Sequence, residues 1–201
     1  MMNYFICGNR LLAFNAKCAT SSFSWAILRQ YHPEVVEQLK KDQWANGQSV
    51  ENQMLHRWVP KRFSSRGFMV AQIVREPVER FRSAYGFMGL GKRIGSVDAV
   101  LDDLINETHA LDSIRGTIAS NIHFRPQNRF DGDITFFRMD QLQDCADFLG
   151  IEVPLTRINQ TKVEKPILTL AQEKTIRDYY AEDVDLWDSL QESNKKEMAW
   201  L

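Results

Sequence analysis

Little in the composition of this chain points to a special class. It has three cysteines, Cys7, Cys18 and Cys145, an odd number with no C-x-x-C spacing. That argues against a disulfide framework or a cysteine-based zinc site, and it fits a reducing compartment. Neither sign of charge dominates: 25 Lys and Arg face 26 Asp and Glu, for a formal net charge of −1. No overall field then draws in nucleic acid or an anionic membrane, so any anion site has to be local. No apolar run approaches the roughly 18 to 20 residues of a membrane span. The first ten residues, Met-Met-Asn-Tyr-Phe-Ile-Cys-Gly-Asn-Arg, lack the basic and long apolar regions of a secretory signal. The expectation is a soluble, cytoplasmic protein. Internal repeats and low-complexity tracts are also missing. A length of 201 residues is then expected to form one domain, 1–201, able to bury a core without staples.

What is present is an alternation of short apolar runs and helical patterns. Tyr4–Cys7 and Leu11–Asn15 read as strands around the turn Gly8-Asn9-Arg10. Thr20–Tyr31 reads as a helix, capped by Thr20, Ser21 or Ser22, with Phe23, Ala26 and Ile27 in helical spacing and Gln30 as a polar exception. Pro33 ends that helix and opens another. Phe68–Val74 reads as a buried strand, whose Val-Ala-Gln-Ile-Val core suits a parallel sheet covered on both sides. Pro77 to about Tyr85 is a helix, Gly86–Gly95 with its four glycines reads as a mobile loop, and Val97–Glu107 is an amphipathic helix. Ile134–Phe137 is a further strand, Leu142–Leu149 a helix stopped at Gly150, and about Leu170 to Leu190 one last helix. The alternation predicts an α/β fold: a three-layer α/β/α sandwich around a short central parallel sheet of four or five strands.

Two strand-to-helix turns stand out. The first is Ala13-Phe14-Asn15-Ala16-Lys17-Cys18-Ala19-Thr20-Ser21-Ser22-Phe23. A helix N-terminus offers unpaired N–H groups and a partial positive charge, so it suits a phosphate or sulfate. Lys17 adds a full charge there, and the small side chains that follow let the backbone come close to an anion. The turn lacks the G-x-x-x-x-G-K-[ST] pattern that wraps a triphosphate and holds magnesium. The second is Val74-Arg75-Glu76-Pro77-Val78-Glu79-Arg80-Phe81-Arg82-Ser83-Ala84-Tyr85. Arg75 ends a strand, and Ser83 lies about two helical turns beyond it. An arginine fork and a hydroxyl converging on one point suit a phosphate monoester. Arg80 and Arg82 read as packing or salt-bridge residues.

The order of a lysine before hydroxyls in the first turn resembles the 5′-phosphosulfate loop of sulfotransferases. The second turn closely resembles their 3′-phosphate motif, most of all in the carbohydrate branch of the family, where Arg-Asp-Pro-x-x-Arg-x-x-Ser-x-Tyr is typical; Glu76 stands here in place of the Asp. His123-Phe124-Arg125-Pro126-Gln127 is similar to the His-x-x-Pro-Gln segment of that branch. Asp133–Asp140 with the helix after it, and Asn159, are similar to its later strand-helix unit. The resemblance spans about residues 11–23 and 68–160, with a weak middle.

It implies a P-loop NTPase-like sulfotransferase fold and 3′-phosphoadenosine-5′-phosphosulfate as co-substrate, with no metal required. It implies that Lys17 stabilises the departing 5′-phosphate, which the backbone of Ala19, Thr20, Ser21 and Ser22, with the Thr20 and Ser21 hydroxyls, cradles. Arg75 and Ser83 take the 3′-phosphate. The acceptor is a hydroxyl, expected on a carbohydrate or glycoconjugate. Its proton goes to a general base, with His56 the first choice and Glu51 and His123 the alternatives. Trp44, Trp58, Phe63 and Phe87 are candidates for a sugar-stacking surface. Two other readings stand beside this one. One is a non-catalytic module that binds the bisphosphorylated nucleotide; the other is a P-loop-like kinase, which the missing Gly-Lys-Ser/Thr sequence disfavours. Nucleic acid is not an expected partner, and the oligomeric state is left open.

Overall fold

A computed structural model describes residues 4–13, 16–38, 67–107, 117–128, 133–156 and 164–198. The chain begins with β1 (Tyr4–Cys7), β2 (Arg10–Ala13), α1 (Thr20–Tyr31) and the helical residues 33–38, α2. Then come β3 (Met69–Val74), α3 (Pro77–Met88), α4 (Leu90–Arg93) and α5 (Val97–Asn106). The last elements are β4 (Ile134–Arg138), α6 (Leu142–Leu149), α7 (Leu170–Tyr179) and α8 (Ala181–Met198). They pack as two compact units.

The first unit holds the sheet. Its strand order is β1-β2-β3-β4, with β2, β3 and β4 as a short parallel sheet and β1 antiparallel at the edge. The fold is therefore mixed α/β, as the alternation of elements predicts. Parallel strands need a long crossover, and α1 lies within the one between β2 and β3. Consecutive residues of a strand face opposite ways, so the unbroken burial of Val70 to Val74 means that β3 is covered on both faces. The polar exception in α1 has a specific task. Gln30 donates to the Gly150 carbonyl (2.6 Å) and accepts from the Glu152 N–H (2.7 Å), which fastens the turn after α6. Gly150 itself ends α6 in the left-handed region, at φ 68°.

The second unit is helical. Pro77 occupies the first turn of α3, and the Glu76 carboxylate accepts from the Glu79 N–H at 2.7 Å. The glycine-rich stretch after it is ordered into helix, contrary to the loop expected there. Gly86 stays inside α3, and the stop comes at Gly89, which takes φ 63°. Leu90 then turns into the core with no exposed surface and pins the short α4. The core gathers Phe81, Leu90, Leu104, Ile118, Phe124 and Ile176, with Phe124 edge-on to Phe81 at 5.6 Å.

The single helix expected from Leu170 to Leu190 is two. Thr169 and Gln172 form a reciprocal capping box at the start of α7. The helix breaks at Tyr180, whose side chain is buried and whose hydroxyl donates to the Phe124 carbonyl. Among the described residues no helix is long and apolar enough to cross a membrane.

Candidate functional site

The second unit contains residues 16–18 together with residues 74–129, and it is there that Lys17 and Arg75 meet. Arg75 follows the last residue of β3 and precedes the α3 cap, so its peptide groups lie between two regular elements. Gln127 satisfies both of them. Its Oε1 accepts from the Arg75 N–H (2.9 Å), and its Nε2 donates to the Arg75 carbonyl (2.8 Å). Gln127 is itself buried, and its own N–H donates to both oxygens of Asp183 (2.7 and 2.8 Å). The Asn128 N–H adds a third bond to that carboxylate at 2.8 Å. Asp183, in the first turn of α8, is equally buried.

The Lys17 turn is held by two guanidiniums. Arg75 Nη1 donates to the Lys17 carbonyl (3.3 Å), and the buried Arg80 donates through Nε to the Ala16 carbonyl (3.3 Å). The backbone so fixed is left-handed at two residues that are not glycine, Lys17 (φ 68°) and Ala19 (φ 53°). Each such residue costs on the order of 1 kcal/mol. Turns of this type aim successive N–H groups at one point and suit anions.

The Lys17 side chain lies over the Phe87 ring, with Nζ 3.9 Å from its centroid. Among the described residues it has no carboxylate partner. Burial, and after it the Arg75 charge, bring its amine down from 10.5 to about 8; neighbouring Cys18 opposes them. Phe87 also contacts the His123 ring at 5.0 Å. Burial, then the Lys17 and Arg80 charges, bring the His123 imidazole down from 6.5 to about 4, so it is neutral at pH 7. Its Nδ1 is buried without a hydrogen-bond partner among the described residues.

Arg75 is partly balanced by Glu79, at 3.7 Å. That carboxylate is shared with Arg82 (2.8 Å) and Lys165 (3.0 Å). Among the described residues, the local arrangement thus keeps an excess of positive charge around Lys17 and Arg75, of the kind a phosphate or sulfate would neutralise.

The other candidates fall in several places. Ala19, rather than Thr20, Ser21 or Ser22, is the N-cap of α1, and as an alanine it gives that end no side-chain cap. The reason is the left-handed Ala19, whose own carbonyl receives the Ser22 and Phe23 N–H groups (3.0 and 3.2 Å). Thr20, Ser21 and Ser22 form the first turn, within the first unit. Ser83 is half-buried on α3 and makes no hydrogen bond to Arg75 among the described residues. His56 and Glu51, with Trp44, Trp58, Phe63 and Asn159, lie outside the described residues.

Arg80 and Arg82 are engaged with backbone and with Glu79, as packing and salt-bridge residues would be. The importance of Asp183 is not readable from the sequence, because it sits among several acidic residues of one helix. Gln127 is visible there only as a member of the His-x-x-Pro-Gln segment.

Comparison with family models, curated proteins and solved structures finds no match for the chain.

Proposed function

We propose that the chain is a sulfotransferase that uses 3′-phosphoadenosine-5′-phosphosulfate, built on a P-loop-like α/β/α sulfotransferase fold, and that its acceptor is a hydroxyl of a carbohydrate or glycoconjugate. The observation that carries this reading is the convergence of Lys17 and Arg75, with the lysine free of any carboxylate among the described residues. The residues present fit the donor's charge: a lysine and an arginine fork, both in the second unit, suit the phosphate groups of such a nucleotide.

Arg75, with Ser83, would hold the 3′-phosphate. The N–H groups from Ala19 to Ser22, which follow Lys17 closely in the chain, would hold the 5′-phosphate. The donor supplies a sulfuryl group on a phosphosulfate bridge. Lys17 would neutralise the negative charge that grows on the bridging oxygen as the sulfur–oxygen bond breaks. A base, His56 or else Glu51 or His123, would take the proton of the acceptor hydroxyl as its oxygen bonds to sulfur. Phe87, half-exposed beside Lys17, is the candidate among the described aromatics to meet a sugar ring. This scheme needs no metal.

The test is transfer from sulfur-35-labelled donor to a panel of oligosaccharides, without magnesium. Label is expected in at least one acceptor. Tight nucleotide binding with no transfer to any acceptor would favour a non-catalytic module, and magnesium-dependent turnover of ATP would favour a kinase.

A further inference from the structure

We infer that Gln127, anchored by Asp183, is a positioning residue that sets the spacing and aim of the Lys17 and Arg75 cations. The inference rests on reading that pair as an anion site. Gln127 touches the Arg75 peptide and the residue after Lys17. It binds both polar groups of the Arg75 peptide, as a neighbouring strand would, at 2.9 and 2.8 Å. Its Oε1 also accepts from the Cys18 thiol at 3.3 Å, one residue from Lys17. A primary amide is the side-chain group that can donate and accept in this way; a glutamate lacks the donor, and a methionine lacks the donor and offers only a weakly accepting sulfur.

The anchor is equally specific. Asp183 accepts from two successive N–H groups, those of Gln127 and Asn128, in three contacts of 2.7 to 2.8 Å. Both side chains are buried, at 1% exposure for Gln127 and 2% for Asp183, so each bond is protected from competing water. A continuous chain of hydrogen bonds therefore runs from the first turn of α8 to the Arg75 backbone. From Arg75 it goes on to the Lys17 carbonyl through the guanidinium, at 3.3 Å. Loosening Gln127 frees the Arg75 backbone and lets its guanidinium withdraw from the lysine. A purely structural glutamine would affect melting and leave the two cations as they are.

The experiment reads the lysine directly. Lysines are dimethylated with carbon-13 and the Lys17 signal, assigned with Lys17→Arg, is followed by NMR against pH. It is recorded in the wild type, in Gln127→Met and in Asp183→Asn, with amide spectra to confirm folding. Asp183→Asn keeps size and an acceptor oxygen, so it carries the test if Gln127→Met does not fold.

The wild-type amine is expected to titrate near 8. In the variants it is expected to rise part of the way toward the ordinary lysine value, because the Arg75 charge recedes while burial, the larger cause, remains. Folded variants whose Lys17 titrates as in the wild type would overturn the inference. A second arm compares adenosine 3′,5′-bisphosphate with AMP: the variants should lose affinity for the former more than for the latter. If the wild type itself binds no bisphosphate, the nucleotide reading fails while the ligand-free titration still decides the positioning role.

Discussion

Arg75→Ala is expected to weaken binding of adenosine 3′,5′-bisphosphate by about 10- to 100-fold, the range for removing a hydrogen-bonded charge from a phosphate. Affinity for AMP should stay within about twofold of wild type on the same reasoning, because AMP carries no 3′-phosphate for Arg75 to hold. The reason is positional. The Arg75 guanidinium is only partly balanced by Glu79, which also serves Arg82 and Lys165. Its planar fork suits a phosphate monoester, so Arg75→Lys, which keeps the charge without the fork, should fall between wild type and the alanine variant. Calorimetry with both nucleotides reads all three proteins. Equal weakening for bisphosphate and AMP would mean that Arg75 supports the fold and not the 3′-phosphate.

Lys17→Ala should reduce the rate of transfer by about 10²- to 10³-fold, the range for removing one preorganised donor to a developing oxyanion. Donor affinity should change much less, because the charge that Lys17 meets grows only as the bond breaks. A variant that keeps the wild-type rate would remove Lys17 from the mechanism.

The depressed Lys17 value adds a pH signature. Its amine is held at about 8 in the folded chain, against 10.5 for an ordinary lysine. The rate should therefore fall as pH rises through about 8, with the loss of the ammonium. Stability runs the other way. In that window the unfolded chain binds the extra proton, so the penalty of holding the lysine charged is complete below about 8. It is relieved as pH rises toward 10.5. Opposite pH trends in rate and stability would separate Lys17 from a general alkaline unfolding.

Much of the local structure is legible in the sequence because local rules decide it. The helix at Thr20–Tyr31 follows a 3.6-residue spacing, and α6 ends at a glycine that takes positive φ. Long-range contacts decide the rest. The break between α7 and α8 exists because Tyr180 reaches Phe124, 56 positions away. The four glycines after Tyr85 have the composition of a loop, yet Gly86 and Gly91 lie in helices on either side of the Gly89 stop, with Leu90 buried in the core.

The site divides in the same way. Lys17 and Arg75 are marked by their places at strand-to-helix turns, and they meet across 58 positions. Nothing local tells that Gln127 binds the Arg75 peptide, or that Asp183 holds Gln127. Those bonds exist only once the second unit has folded. The Ala19 cap is hidden in the sequence too, because its hydroxyl-rich neighbours are the usual caps and a left-handed alanine is rare.

The most direct measurement is a calorimetric titration of the wild-type protein with adenosine 3′,5′-bisphosphate beside ATP, ADP and AMP, each with and without magnesium. A clear preference for the bisphosphate that does not depend on magnesium is expected. A preference for magnesium–ATP would contradict it and would mean that the two turns hold the phosphates of a different nucleotide.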